Sequence, residues 1–300
     1  MGPAIARLLV SFPAGLVQQA IRIGQGGRPA TKSELAPCTM YRHALCVYPY
    51  PRTSSSMTSF PPLGLEYIAA ALRPYAERLE LINFRHERTA STLPFLRPET
   101  DLVCYSINWP RNLELIRDDI NALPPGVTTI VGGRTATQDP QAWLDACPNI
   151  DAVVCGDGEQ AIAEIASGRA WPEIAGLTYR GADGRMIHNA PRANAPLSDD
   201  LLPARDLRRK PYYLTSKGIS TGIKVDMIAG SRGCPFRCKF CSFAVNPWGV
   251  RRTWVPRSAE SITREIEESP ADLIIFVDDV FTYLPDRVME ICDLLIARKV

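Results

Sequence analysis

Histidine is scarce, with three in 300 residues, and charge is nearly balanced, 34 basic against 32 acidic side chains for a net +2. That balance, with no basic patch interleaved with aromatics, leaves little to neutralise a phosphate backbone, so nucleic-acid binding is not expected. No apolar run reaches the roughly 20 residues needed to span a bilayer. Internal repeats and low-complexity tracts are missing as well. The nine cysteines show none of the paired spacing of a secreted disulfide scaffold. What remains is an ordinary soluble composition, 46% hydrophobic and 22% charged, long enough to bury a large core and make two domains.

Against this background one segment stands out. Cys234, Cys238 and Cys241 form a C-x3-C-x2-C run, Ser231-Arg-Gly-Cys-Pro-Phe-Arg-Cys-Lys-Phe-Cys-Ser242. Three thiolates so close together can hold three irons of a cubane [4Fe-4S] cluster, and with no fourth cysteine in the loop one iron stays open to a second molecule. A structural zinc site would need four ligands, usually as two short pairs. Here the next cysteine is Cys292, within a helical pattern, and none of the three histidines follows the loop. The strand-like run Lys224–Ala229 precedes it, and Gly230 and Gly233 let the backbone bend around inorganic sulfide. An oxygen-sensitive cluster calls for a reducing compartment, so the cytoplasm is the expected location.

With Phe240 just before the third cysteine, the segment resembles the cluster loop of radical S-adenosylmethionine (SAM) enzymes. The resemblance implies that SAM chelates the open iron and that the reduced cluster cleaves it to a 5′-deoxyadenosyl radical. It implies an external reductant such as flavodoxin or ferredoxin, and that Phe240 packs beside the cluster. Asp272-Leu-Ile-Ile-Phe-Val-Asp-Asp-Val-Phe281 is a buried-strand run ending in two carboxylates, where the family's second barrel strand meets the SAM amino group. Asp278 or Asp279 is the candidate for that contact. Carboxylates also cap strand ends for purely local reasons.

Upstream, the pattern alternates strand and helix. Strands are expected at Ala44–Tyr48, Leu79–Phe84, Asp101–Ile107, Thr128–Val131 and Asp151–Cys155, with helices at Leu63–Leu72, Asn112–Leu123 and Glu159–Ala166. Five short apolar strands separated by helices make a doubly wound, flavodoxin-like parallel sheet that binds its ligand at the carboxyl ends of the strands. The glycines fall there. Gly132-Gly133-Arg-Thr135-Ala-Thr137 and Gly156-Asp-Gly-Glu159 would let backbone approach a bulky ligand, with Thr135 and Thr137 available to its polar tail. Glycine also ends many such loops for steric reasons alone.

The order of α/β domain, connector and cysteine loop resembles the cobalamin-binding class of radical SAM enzymes. Phe60-Pro-Pro-Leu-Gly-Leu65, the Gly-Gly after strand four and the Gly-Asp-Gly-Glu after strand five match it. The resemblance implies a corrinoid over Gly132, Gly133, Thr135 and Gly156, facing the mouth of a (β/α)6 partial barrel. The Asp-x-His-x-x-Gly pattern that gives many cobalamin domains a cobalt ligand is missing, and neither His43 nor His86 fits it.

The expected organisation is an extension over 1–40, a cobalamin-binding-like α/β domain over 41–166, a connector over 167–222 with a hairpin at 176–188, and a radical SAM core over 223–300. Residues 1–33 carry Arg7, Arg22, Arg28 and Lys32 and no acid, which suits a disordered tail or a misassigned start more than a cleaved leader. After the loop, Ser258–Glu268 and Pro285–Arg298 read as the first two barrel helices. The core is then incomplete, and an open strand edge suggests a piece of a longer protein rather than a barrel closed by a partner. The expected activity is methylation of an unactivated carbon in a small molecule, a lipid or a tetrapyrrole. Ring-closing or oxidative chemistry of the same class and a non-catalytic cluster- or corrinoid-binding fragment stay open, and no catalytic side chain is assigned.

Overall fold

Tyr41–Tyr48 (β1) is buried at every position but Arg42, as a strand with neighbours on both sides and cover on both faces must be. The computed structural model describes residues 40–51, 60–216, 219–241 and 252–300. The extension expected over 1–40 therefore lies, apart from Met40, outside the described residues, as does the stretch 242–251.

β1 pairs in parallel with Ala76–Asn83 (β2), Cys46 facing Leu81, and with Thr100–Ser106 (β3), Cys46 facing Cys104. Thr128–Gly132 (β4) and Ala152–Val154 (β5) continue the sheet, giving the order β2-β1-β3-β4-β5 of a flavodoxin-like fold. The hairpin expected within the connector forms as Leu177–Arg180 (β6) and Met186–His188 (β7), and it adds to β5 in antiparallel fashion. It covers an edge that would otherwise expose unpaired amides, and the sheet reaches seven strands.

Leu63–Leu72 (α1), Leu113–Asn121 (α2) and Glu159–Ala166 (α5) cover the sheet. Leu45, Val47, Leu102, Val103, Val131 and Val153 are completely buried beneath such cover. Each contributes about 1.5–3 kcal/mol by leaving water. Two short helices, Arg134–Gln138 (α3) and Pro140–Ala146 (α4), were not expected. The signal for α4 was available: Asp139 precedes Pro140 and its carboxylate accepts from the Ala142 N–H at 3.0 Å.

A second sheet holds Tyr213–Ser216 (β8), Ile219–Ile228 (β9) and Leu273–Phe276 (β12) in the order β12-β9-β8, with β12 and β9 parallel. Between β9 and β12 come the short pair Ser231–Arg232 (β10) and Val255–Pro256 (β11) and the helix Ala259–Glu268 (α6). Pro285–Ala297 (α7) follows β12 and packs on α6. β9-α6-β12-α7 are the expected first two strand-helix units of the core.

Both sheets belong to one compact unit, Pro37–Val300, and buried charge joins them. Arg208, from the connector, grips Glu66 of α1 through two bonds of 2.6 and 2.7 Å and reaches Asp226 of β9 at 2.8 Å. Arg205 bonds the same Asp226 and, at 2.7 Å, Glu265 of α6. Glu265 also takes bonds from Arg257 and the Tyr67 hydroxyl. All three carboxylates are completely buried, and three guanidinium groups balance them.

Candidate functional site

The carboxyl ends of β1, β3, β4 and β5 form one rim. After β3 the chain turns outward through Asn108, whose amide donates to Ser106 Oγ at 3.0 Å while its oxygen accepts from the Arg134 N–H at 3.1 Å. Gly133, at φ 96°, lies against that turn, and a Cβ there would sit 2.7 Å from the Ile107 carbonyl and 2.8 Å from Asn108 Oδ1. The neighbouring strand, not a ligand, demands this glycine. Gly156 differs: at φ 90° it has nothing within 4 Å of where a Cβ would project, so its face is open. The Thr137 hydroxyl joins the two loops, donating to the Gly133 carbonyl at 2.8 Å and accepting from the Gly156 N–H at 3.2 Å. Thr137 is thereby engaged within the protein, whereas Thr135 is buried in α3 with its N–H on the Ile107 carbonyl.

Aromatic side chains finish the rim. Trp109 is 52% exposed yet firmly held. Its N–H donates to the Tyr50 hydroxyl at 2.7 Å, its carbonyl accepts from that hydroxyl at 3.0 Å, and its indole N–H donates to the Tyr48 hydroxyl at 3.2 Å. Burial pushes the Tyr50 phenol up to about 12, so it stays protonated and able to donate. The outcome is a rigid, flat apolar surface at the sheet end.

Across from this rim lies the cysteine loop. Asp278, at the end of β12, accepts from the Gly230 N–H at 2.9 Å and from the Ser231 hydroxyl, while Arg287 donates to the Gly230 carbonyl. The first of the two SAM-contact candidates is thus engaged in holding the start of the loop. Asp279 is exposed, and its carboxyl is held above the ordinary range by loss of water and by Asp278, against the pull of Arg252 and Arg134. Gly233, at φ 72°, admits no side chain, because a Cβ would meet the Thr253 carbonyl at 2.3 Å.

Cys234 is buried, Cys241 half-buried and Cys238 exposed, with the Cys241 N–H bonded to the Cys238 carbonyl at 3.1 Å. Among the described residues no group of three His, Cys, Asp or Glu stands ready to hold a metal ion. The donor chemistry nonetheless fits an iron–sulfur cluster: three thiols on one short, glycine-flanked loop. Loading it would bring the three thiols together, exposed Cys238 with buried Cys234. Phe240, expected beside the cluster, is 91% exposed.

Sequence reasoning missed the contact that brings rim and loop together. Asp157, in the turn after β5, and Glu159, the first residue of α5, face Arg232 and Arg252 on the two sides of the cysteines. Arg232 bonds Glu159 and lies 3.6 Å from Asp157, while Arg252 reaches Asp157 at 3.1 Å. Burial works against the charge of Arg232, but Glu159 and Asp157 outweigh it and hold the group firmly protonated. The available signal was two acids just after β5 and two arginines flanking the cysteines, yet no spacing links segments so far apart.

Between rim and loop opens a cavity of about 310 Å³. Tyr48, Asn108 and Trp109 line one side, Met227 of β9, Ala229 just after it and Arg232 of β10 the other. Sites for small molecules typically begin at about this size, so it takes part of a large ligand and leaves the rest outside.

Comparison with known proteins agrees with this architecture. Residues 53–166 match the B12 binding domain family. The hopanoid C-3 methylase of Methylococcus capsulatus is 30% identical over 272 residues, spanning 85% of this chain and 49% of the methylase. The anaerobic magnesium-protoporphyrin IX monomethyl ester cyclase of Rubrivivax gelatinosus is 28% identical over 58% of this chain and 32% of its own length. The chain thus spans half or less of the length of these relatives. Among solved structures, the radical SAM methyltransferase TsrM of Kitasatospora setae, with cobalamin and a [4Fe-4S] cluster bound, superimposes with a TM-score of 0.61 over 86% of this chain and 51% of its own, at 18% identity. With a flavodoxin-like sheet, and a C-x3-C-x2-C loop set after the first strand of a strand-helix unit, the chain carries a B12 binding domain and shares its fold with the cobalamin-bound radical SAM methyltransferase TsrM.

Proposed function

We propose that this chain is the cofactor-binding part of a cobalamin-dependent radical SAM enzyme that methylates an unactivated carbon. The observation that carries the reading is the cavity itself, which has the carboxyl ends of the B12-type sheet on one side and the strand leading into the three-cysteine loop on the other. Cys234, Cys238 and Cys241 would hold the [4Fe-4S] cluster. Asp279, an exposed residue, suits the SAM amino group better than Asp278, whose oxygens are taken by Gly230 and Ser231. The open face at Gly156 and the fixed Trp109 surface would receive the corrinoid, with Gly132, Gly133 and Thr135 shaping the loop beside it. When bound, cluster and SAM supply a radical that removes hydrogen from carbon, and the corrinoid supplies the methyl group.

The hopanoid and protoporphyrin relatives support a lipid or tetrapyrrole substrate. The cyclase relative favours a second reading, oxidation or ring closure without methyl transfer, and the product's mass separates the two. An external reductant such as flavodoxin or ferredoxin fits this chemistry. No helix among the described residues is long and apolar enough to cross a membrane. A cytoplasmic location follows from the cluster's need for reducing surroundings.

The test is anaerobic reconstitution with iron and sulfide, reduction, and electron paramagnetic resonance with and without SAM. A cubane signal that shifts on adding SAM and vanishes in C234A/C238A/C241A is expected. A signal blind to SAM would assign SAM binding elsewhere, and no cubane at all would sink the reading.

A further inference from the structure

The two acids just after β5 have a role the reading above does not use. Arg232 and Arg252 bracket the segment that carries all three cysteines, and both answer to the same turn. The base of that segment is closed twice more, by the β10–β11 pairing of Arg232 with Val255 and by the Cys234 N–H on the Arg252 carbonyl at 3.4 Å. The turn itself is fastened to the rim, because the adjoining Gly156 N–H is held by Thr137 and, through it, by Gly133. Rim, turn, arginines and cysteines therefore form one continuous mechanical path. Arg232 also lines the cavity between rim and loop.

Accepting that the rim holds a corrinoid and the loop a cluster, we infer that Asp157 and Glu159 are positioning residues. By gripping Arg232 and Arg252 on either side of the cysteines, they set the separation and tilt of the cluster relative to the corrinoid. Neither acid touches a reacting atom. Both act through the two arginines.

The test uses the full chain and D157N/E159Q. In the cofactor-free protein, maleimide labelling is followed by mass spectrometry, with exposed Cys238 as internal reference for buried Cys234. Cutting partly exposed ion pairs at both ends is expected to speed Cys234 labelling relative to Cys238 about five- to tenfold. An unchanged ratio overturns the inference. In protein loaded with hydroxocobalamin and cluster and then reduced, pulsed paramagnetic resonance reads the cobalt-to-cluster distance. One narrow distribution is expected in the parent, a broadened one in D157N/E159Q, and a narrow one again in D157E/E159D. A purely structural role would lower the unfolding midpoint and leave the distance alone, and that result also overturns the inference. A parent that takes up neither group defeats the functional reading, while the Cys234 rates still decide the clamp.

Discussion

Gly133 and Gly156 share nearly the same backbone angle, φ 96° and 90°, for different reasons. At Gly156 only the left-handed backbone resists a side chain, so Gly156→Ala should cost about 1–2 kcal/mol. At Gly133 the clash with Ile107 and Asn108 adds to that, and overpacking brings about a further 1–3 kcal/mol. Urea unfolding of the two variants should therefore rank them clearly, and equal midpoints would contradict the geometry. His43 gives a second test at this scale. It is completely buried at the far end of the sheet, with Nδ1 2.7 Å from Thr100 Oγ1 and Nε2 3.4 Å from Glu80. Burial lowers its proton affinity, Glu80 and Glu99 raise it, and Arg97 and Arg78 lower it again, with a net downward shift. The unfolded chain therefore takes up the proton more readily. The contribution of His43 to stability is complete above the unfolded value near 6.5 and is lost as pH falls below it towards the folded one. Between pH 7.5 and 5.5 the parent should lose more of its urea midpoint than His43→Gln does, and parallel losses would exclude the imidazole as the cause.

Elements meet here through charge as much as through apolar surface. α1 buries Leu65, Tyr67, Ala69 and Leu72, as amphipathic spacing requires, but it also buries Glu66 completely. Burial raises the Glu66 carboxyl and Arg208 pulls it back, whereas at Asp226 the two arginines prevail over burial and hold the carboxyl below its ordinary range. Asp226 is thus the ionised centre to which β9 and the connector are bound. Asp226→Asn would leave Arg205 and Arg208 short of a buried counter-charge, a loss of about 3–5 kcal/mol. A denaturant midpoint within error of the parent would show that water or movement of the arginines compensates. The elements themselves were largely legible. α1 and α5 begin and end where periodicity places them, and Ser258 caps α6 through Ser261 at 3.1 Å. α3 and α4 escaped because helices of five and seven residues carry too little period to register.

At the scale of the whole molecule, one cavity has the ends of β1 and β3 on one side and Met227, Ala229 and Arg232 on the other, segments far apart in the chain. Both halves were readable separately, the cysteine loop from spacing and the rim from glycines at strand ends. The division of labour within them was not. Gly133 answers to Asn108, Thr137 to Gly156 and Asp278 to Gly230, and each of these partners lies on another element. Trp109 and Tyr48 meet as a surface because β1 and β3 are neighbours in the sheet, although they stand 61 positions apart with α1 and β2 between them.

Local chemistry determined what could be read along the chain. The apolar strand runs, the helix caps and the three thiols each need only neighbours a few residues away, so spacing alone specified the fold class and put three thiols on one short loop. Tertiary structure decided what depends on distant partners. It placed β6 and β7 on the open edge of the sheet, buried Glu66 because Arg208 arrives to neutralise it, and turned Asp157 and Glu159 from ligand-loop acids into the grip on Arg232 and Arg252. The physical reason is that a charge or a backbone edge takes its meaning from what the fold brings opposite it.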